Sequence, residues 1–201
     1  TNIKIINKNT SNLYKIKNDL NKYINTFKSK EYLNAFILGN TKEIDKEVIT
    51  SYRANGISHL LAISGMHITL ISTILLYLLN HISKYKKINY ILVITILIFY
   101  MFLTNFTPSV VRATLLFISI TIKHTFKIKI DTIFILILIC TIYLFYNPYI
   151  IYNIGFQFSF IITFFLILFS SFLKTKQKYL NKIFMVSLIS FIVSIPILIN
   201  N

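Results

Sequence analysis

Carboxylates are scarce in this chain: six acidic residues stand against 21 Lys and Arg, and after Glu47 the only one is Asp131. A soluble surface needs both signs interspersed, whereas a lipid-facing one needs neither. The long carboxylate-free stretch therefore excludes an ordinary soluble domain. Tryptophan is absent, and glycine and proline number only four and three. With abundant Lys, Asn, Ile, Tyr and Phe, this is the residue set that AT-rich codons favour. Codon bias would scatter lysines evenly, but here they are sorted into particular loops, so their placement is informative. The lone Cys140 excludes an internal disulfide. It lies in an apolar run, where a buried inert thiol is the ordinary state. No glycine-rich phosphate cradle, nucleophile elbow or metal-binding cluster occurs. The reading is of a segment that is not an enzyme and needs no cofactor.

Apolar residues dominate what is present. They fill 55% of the 201 positions and charged residues only 13%, which places the chain among membrane proteins. Six apolar stretches follow one another: Ile57–Leu79, Ile88–Thr104, Pro108–Ile122, Thr132–Tyr146, Ile154–Leu173 and Ile183–Ile199. A perpendicular span needs about 17 to 25 residues. The first and fifth stretches meet that comfortably, and the second and sixth are marginal. The third and fourth are short. They either cross with Lys123 and Asp131 snorkelling or form a re-entrant hairpin buried in protein. The expected fold is an all-α polytopic membrane protein with about six transmembrane or re-entrant helices.

An amphipathic helix is expected to precede them. Leu13, Ile16, Leu20, Tyr23, Ile24 and Phe27 share one face, with Lys15, Lys17, Lys22 and Lys28 around the other. That pattern suits a membrane surface and packing on a neighbouring domain equally well. Gly39 reads as a helix stop. Asn40 and Glu43 resemble a capping box that opens a short helix closed by Gly56. Residues 1–10, with an Ile3, Ile5 alternation, read as the end of a preceding external domain. Residues 11–56 read as amphipathic and linker helices, and 57–201 as the membrane domain. Thr1 at the start and Asn201 directly after an apolar run lead to the expectation of an internal fragment.

The loops set orientation. His81–Lys87, Lys123–Lys129 and Lys174–Lys182 are lysine-rich, while Asn105–Thr107 and Asn147–Asn153 carry no charge. By the positive-inside rule the basic loops are cytoplasmic, and the N-terminal region and neutral loops face outward. The N-terminal region is basic too, but long regions translocate largely regardless of charge.

Arg112 is the one cation inside an apolar stretch, a functional-site candidate by default. Pro108 opens its helix, so Arg112 lies about one turn deep and could also snorkel outward. In the first span Ser58, Ala62, Gly65, Thr69 and Ser72 form a stripe of small residues that lets another helix approach closely. His59 and His67 are eight apart with no carboxylate to complete a metal site; they read as polar residues facing protein or a water-filled path. Asn153 reads as a helix cap. Gln157 and Ser159 are polar at the outer end of the fifth stretch, where interhelical hydrogen bonding is the ordinary role. Phe156, Phe158 and Phe160 suit packing, with base stacking as the alternative.

Local strings add a family. Gly56-Ile57-Ser58-His59-Leu60-Leu61-Ala62-Ile63-Ser64-Gly65-Met66-His67 closely resembles the signature that opens a long hydrophobic helix in the ComEC family of competence proteins. Leu38-Gly39-Asn40 is similar to its Leu-Gly-Asp element, with Asn in place of Asp. Pro108-Ser109-Val110-Val111-Arg112-Ala113 resembles its Pro-x-x-x-Arg-Ala motif. Asn147-Pro148 and Gly155-Phe156-Gln157-Phe158-Ser159-Phe160 resemble a further pair. Order and spacing agree from about Leu33 onward.

The resemblance implies a multi-pass bacterial inner-membrane protein passing single-stranded transforming DNA into the cytoplasm. Its partners would be that DNA, the bilayer and other competence proteins, including a DNA receptor and a cytoplasmic translocation ATPase, with a homo-oligomer also open. An external OB-like domain before this segment, and in many members a metallo-β-lactamase-like domain after it, are implied too. Arg112, His59, His67 and Gln157 become the candidates for the DNA path. A sequence-independent, salt-sensitive grip on phosphates is what such a path requires. Two other functions compete: a secondary transporter for a small anion, with Arg112 and helices broken near Gly65 and Gly155, and a non-conducting membrane scaffold. The transporter calls for an internal repeat, which the sequence lacks.

Overall fold

The computed structural model describes residues 12–41, 43–54, 63–170 and 179–199. All of the regular structure among them is helical: α1 Asn12–Ile24, α2 Lys30–Leu38, α3 Lys46–Ala54, α4 Gly65–Ile82, α5 Lys86–Leu103, α6 Pro108–Thr125, α7 Thr132–Tyr146, a 3-10 turn Pro148–Tyr152, α8 Ile154–Leu168 and α9 Tyr179–Ile199. The Ile3, Ile5 alternation, Gly56, Ser58, His59 and Ala62 lie outside the described residues. Two compact units divide the chain.

The first unit holds the described residues up to Ile63, together with Phe102–Asn105. Here α1 packs on α2, and Ala35 and Ile44 form a small core covered by Val48, Ile49 and Tyr52. Gly39 ends α2 in the left-handed region, at φ 70°. The Asn40 N–H returns to the Asn34 carbonyl at 3.1 Å, closing the last turn. A Cβ at Gly39 would lie 3.4 Å from Ile63 Cδ1. Gly39→Ala is therefore expected to cost about 1–2 kcal/mol, the penalty for a side chain in this conformation. Thermal denaturation of the purified protein checks it, and an unchanged midpoint would show the turn does not require glycine.

The Asn40–Glu43 capping box needs correcting. The Glu43 carboxylate accepts instead from the amide of Asn34, at 2.9 Å, and Asn34 is fully buried. The next helix opens at Lys46, with Asp45 Oδ1 taking the Glu47 N–H at 3.1 Å. A buried amide in the preceding helix has the stronger need for a partner. On α1, Ile24 is buried, but Ile16 and Tyr23 of its apolar face are exposed, as is Phe27 beyond its end. Lys17 donates to the Asn105 side chain, and desolvation lowers its pKa below the ordinary lysine value.

The second unit comprises Ser64–Met101 and the described residues from Phe106 on. Its helices are joined by short connections, so neighbours run antiparallel and α4, α6 and α8 point the same way. Among them α6 is central, packing on α4, α7 and α8, while α9 lies along α8. The core between α7 and α8 is Ile135, Leu136, Ile139, Phe156 and Phe160. The rings of Phe156 and Phe160 sit 4.5 Å apart and both meet Tyr143. Those two phenylalanines are spent on packing.

The first apolar stretch also departs from expectation. Ile63 and Ser64 are not helical, so no single helix runs from Ile57 to Leu79. Ser64 is extended, at φ −102° and ψ 164°, and caps α4. Among the described residues two helices, Gly65–Ile82 and Lys86–Leu103, are long and apolar enough to cross a membrane by length and composition.

Candidate functional site

Gly65 at the start of α4 and Ser159 in the second turn of α8 meet at one side chain, Arg112 in the second turn of α6. Pro108 stands at the first position of α6, where its missing N–H costs nothing. The Thr107 carbonyl receives the N–H groups of Val110 and Val111, both at 3.0 Å. Val110, Val111 and Thr114 are buried, and this packing fixes the helix that carries Arg112.

The Arg112 guanidinium reaches across to α8, where Nη1 donates to the backbone carbonyl of Ser159. That carbonyl also accepts from Thr163 Oγ1 at 2.8 Å. On the other side Nη2 occupies the space where a Cβ of Gly65 would be, with Ala113 Cβ 3.5 Å from that point. The absent side chain at Gly65 makes room for the cation. Arg112 Nε, Ser159 Oγ and Thr114 Oγ1 are all buried and have no hydrogen-bond partner among the described residues.

No carboxylate of the second unit balances the charge. Asp131 is the only one in the sequence from Ser64 onward, and it precedes α7, beyond the opposite end of α6. Each converging helix adds a partial positive charge of about 0.5 at its N-terminus. A hydrogen bond from a charged donor contributes about 1.5–3 kcal/mol. Desolvating a cation costs several kcal/mol. The single carbonyl bond therefore offsets only part of that cost, and an anion would supply the rest. Guanidinium carries five N–H donors, enough to hold the carbonyl and an anion together.

His67 is occupied close by. Its Nδ1 accepts the Ser64 N–H at 3.1 Å and lies 3.0 Å from Ser64 Oγ, a capping box with histidine in the place of Glu or Gln. Gln157 Nε2 donates to the Ile151 carbonyl at 2.8 Å, tying α8 to the 3-10 turn. Asn153 caps α8 by accepting the Phe156 N–H at 3.0 Å. Of the small-residue stripe, Gly65 faces Arg112, Ser72 is buried and Thr69 is exposed. Thr69 and Ser72 hydroxyls donate within α4, to the Gly65 and Thr69 carbonyls, each at 3.0 Å. Among the described residues no three His, Cys, Asp or Glu side chains converge as metal ligands would.

Sequence reasoning did not find the Ser159 carbonyl or the Ser64–His67 box. The first is a main-chain atom and leaves no trace in residue type. The second had a signal, Ser-x-x-His at a helix start, concealed within an apolar run.

Comparison with known proteins places these strings in context. The family model described as "Competence protein" matches residues 36–200. The chain is 33% identical over 166 residues to ComE operon protein 3 of Bacillus subtilis (strain 168), an alignment covering 83% of this chain and 21% of that protein. The chain thus spans about a fifth of the relative's length. No solved structure matches it.

Proposed function

We propose, for a chain that belongs to the competence protein family, that its helices α4–α9 form a membrane-embedded path for DNA taken up by the cell. The carrying observation is the uncompensated guanidinium of Arg112 at the shared N-terminal end of α4, α6 and α8. A strand of phosphates must avoid hydrocarbon, and such a cluster of positive ends would attract it without reading its sequence. Three of the strings that resemble the ComEC family supply Gly65, Arg112 and Ser159, which are far apart in sequence and adjacent in space. The segment performs no catalytic step in this reading. It positions and conducts.

The bilayer part of the proposal rests on uncovered apolar surface. Leu70 and Ile74 of α4, Ile91 of α5, and Phe134 and Ile142 of α7 are all exposed, and soluble proteins rarely leave so much bare. Tyr146, Tyr149 and Tyr152 are exposed at one end of the helices, and Tyr77 and Tyr85 at the other, beside the lysines. Aromatic belts at both interfaces are characteristic of membrane proteins. The α7 and α8 helices, at 15 residues each, extend only about 22 Å. They match a full hydrocarbon core of about 30 Å only with help from flanking residues or from surrounding protein.

Orientation is testable by single cysteines in a Cys140→Ser background. Asn105→Cys and Tyr149→Cys are expected to react with an impermeant thiol reagent on intact cells, and Lys86→Cys and Lys127→Cys only after lysis. The opposite pattern would invert the topology. The DNA role is tested in a strain lacking the gene that carries this segment. DNA should still bind the cell surface, while the nuclease-protected cytoplasmic pool disappears. A normal pool would remove the chain from uptake.

A further inference from the structure

At the opposite end of α4, α5 and α6 from Arg112, a cleft of about 440 Å³ opens between these helices. Its volume falls within the range of ligand pockets, about 300–1,000 Å³. The rim carries Lys86, Lys87 and His124, and the wall carries Leu76, Phe117 and Ile120. The two lysines and His124 are exposed, while the three apolar residues are half-buried. The cleft is thus basic where it meets water and oily where it enters the helices. Asp131, the unit's only carboxylate, does not line it.

The two halves of the rim differ electrostatically. His124 lies in the last turn of α6, where the helix dipole favours a cation. Lys86 and Lys87 open α5, whose first turn holds no acidic residue. At a helix N-terminus two adjacent cations repel both each other and the dipole. An anion seated between the Lys86–Lys87 turn and His124 relieves both repulsions, and the wall of Leu76, Phe117 and Ile120 accepts an attached hydrocarbon chain.

We propose that this cleft binds the phosphate headgroup of an anionic lipid at the membrane face bearing the lysine-rich loops. The proposal rests on the membrane reading of α4–α6 and is independent of DNA. Free phosphate shares the headgroup's charge but lacks the acyl chain, so the two sources are separable.

The test uses the full-length protein purified in a neutral detergent, with thermal stability followed as lipid is titrated in. Phosphatidylglycerol is expected to raise the melting temperature saturably. Phosphatidylcholine and inorganic phosphate at the same concentrations are expected not to. Lys86→Gln combined with Lys87→Gln should weaken the apparent phosphatidylglycerol affinity roughly thirtyfold, the loss expected for two lysines at an anionic surface. Lys127→Gln combined with Lys129→Gln, which removes the same charge outside the cleft, should leave it near wild type. Equal loss in both pairs would reduce the effect to diffuse loop charge and overturn the site. An equal response to inorganic phosphate would overturn the lipid assignment. Should the first pair fold poorly, Lys86→Arg with Lys87→Arg keeps the charge and should bind like wild type; thirtyfold loss there would also overturn the proposal. Carbonate extraction of membranes keeps the readings apart. A protein that stays in the membrane pellet but ignores phosphatidylglycerol refutes only the cleft, and one that is extracted refutes the membrane reading itself.

Discussion

Arg112→Gln is expected to lower the nuclease-protected pool of internalised DNA tenfold or more, at normal membrane levels of the protein. The estimate follows from losing one charge-assisted contact to phosphate, about 1.5–3 kcal/mol. Glutamine removes the desolvation cost along with the charge, so the variant should accumulate at least as well as wild type. Arg112→Lys separates the chemistry further. Nη1 is committed to the Ser159 carbonyl, so gripping an anion at the same time uses the guanidinium fork. A lysine has one nitrogen for both tasks. Its uptake should fall between that of glutamine and that of wild type. If both variants import DNA normally, Arg112 merely extends toward the interface and has no part in transport.

Gly65→Leu is expected to lower the membrane-integrated amount of protein several-fold, measured by quantitative blotting of carbonate-washed membranes. A side chain at Gly65 enters the volume of Arg112 Nη2 and then meets Ala113, so α4 and α6 must separate. Overpacking of this kind costs about 1–3 kcal/mol even for small additions. Gly65→Ala is the finer probe. Its single methyl displaces the guanidinium without prising the helices apart, so the protein should accumulate normally while uptake falls. If the two residues act as one unit, Gly65→Ala combined with Arg112→Gln should be no worse than Arg112→Gln alone. Additive losses would place Gly65 and Arg112 in separate roles.

These expectations depend on contacts that differ greatly in how visible they are in the sequence. Gly39, Pro108 and Asn153 announced their roles because the chemistry is local. A left-handed turn needs glycine, a first helical turn tolerates proline, and an asparagine cap reaches three residues ahead. The continuous apolar stretches located α5 to α9 for the same reason, since helix length and hydrophobicity are properties of contiguous residues. The α4 start was obscured because Ser64 and His67 sit inside a run apolar enough to read as one helix. Glu43 misled because its partner, Asn34, is brought to it by folding. At the candidate site, Arg112 stood out as a cation among apolar neighbours, and Gly65 as part of a small-residue stripe. That Gly65 makes room for Arg112, and that the bond ends on Ser159, are facts of the packing of three helices. Residue spacing does not encode them.

The central claim is that a positive charge at position 112 serves passing phosphate. Chemical rescue of Arg112→Cys, in a Cys140→Ser background, tests it most directly. After modification verified by mass, a reagent that appends an aminoethyl group should restore a substantial part of DNA uptake. One that appends an ethylsulfonate, of similar size and opposite charge, should restore none. Equal uptake after both modifications would contradict the claim, because charge at this position would then make no difference to transport.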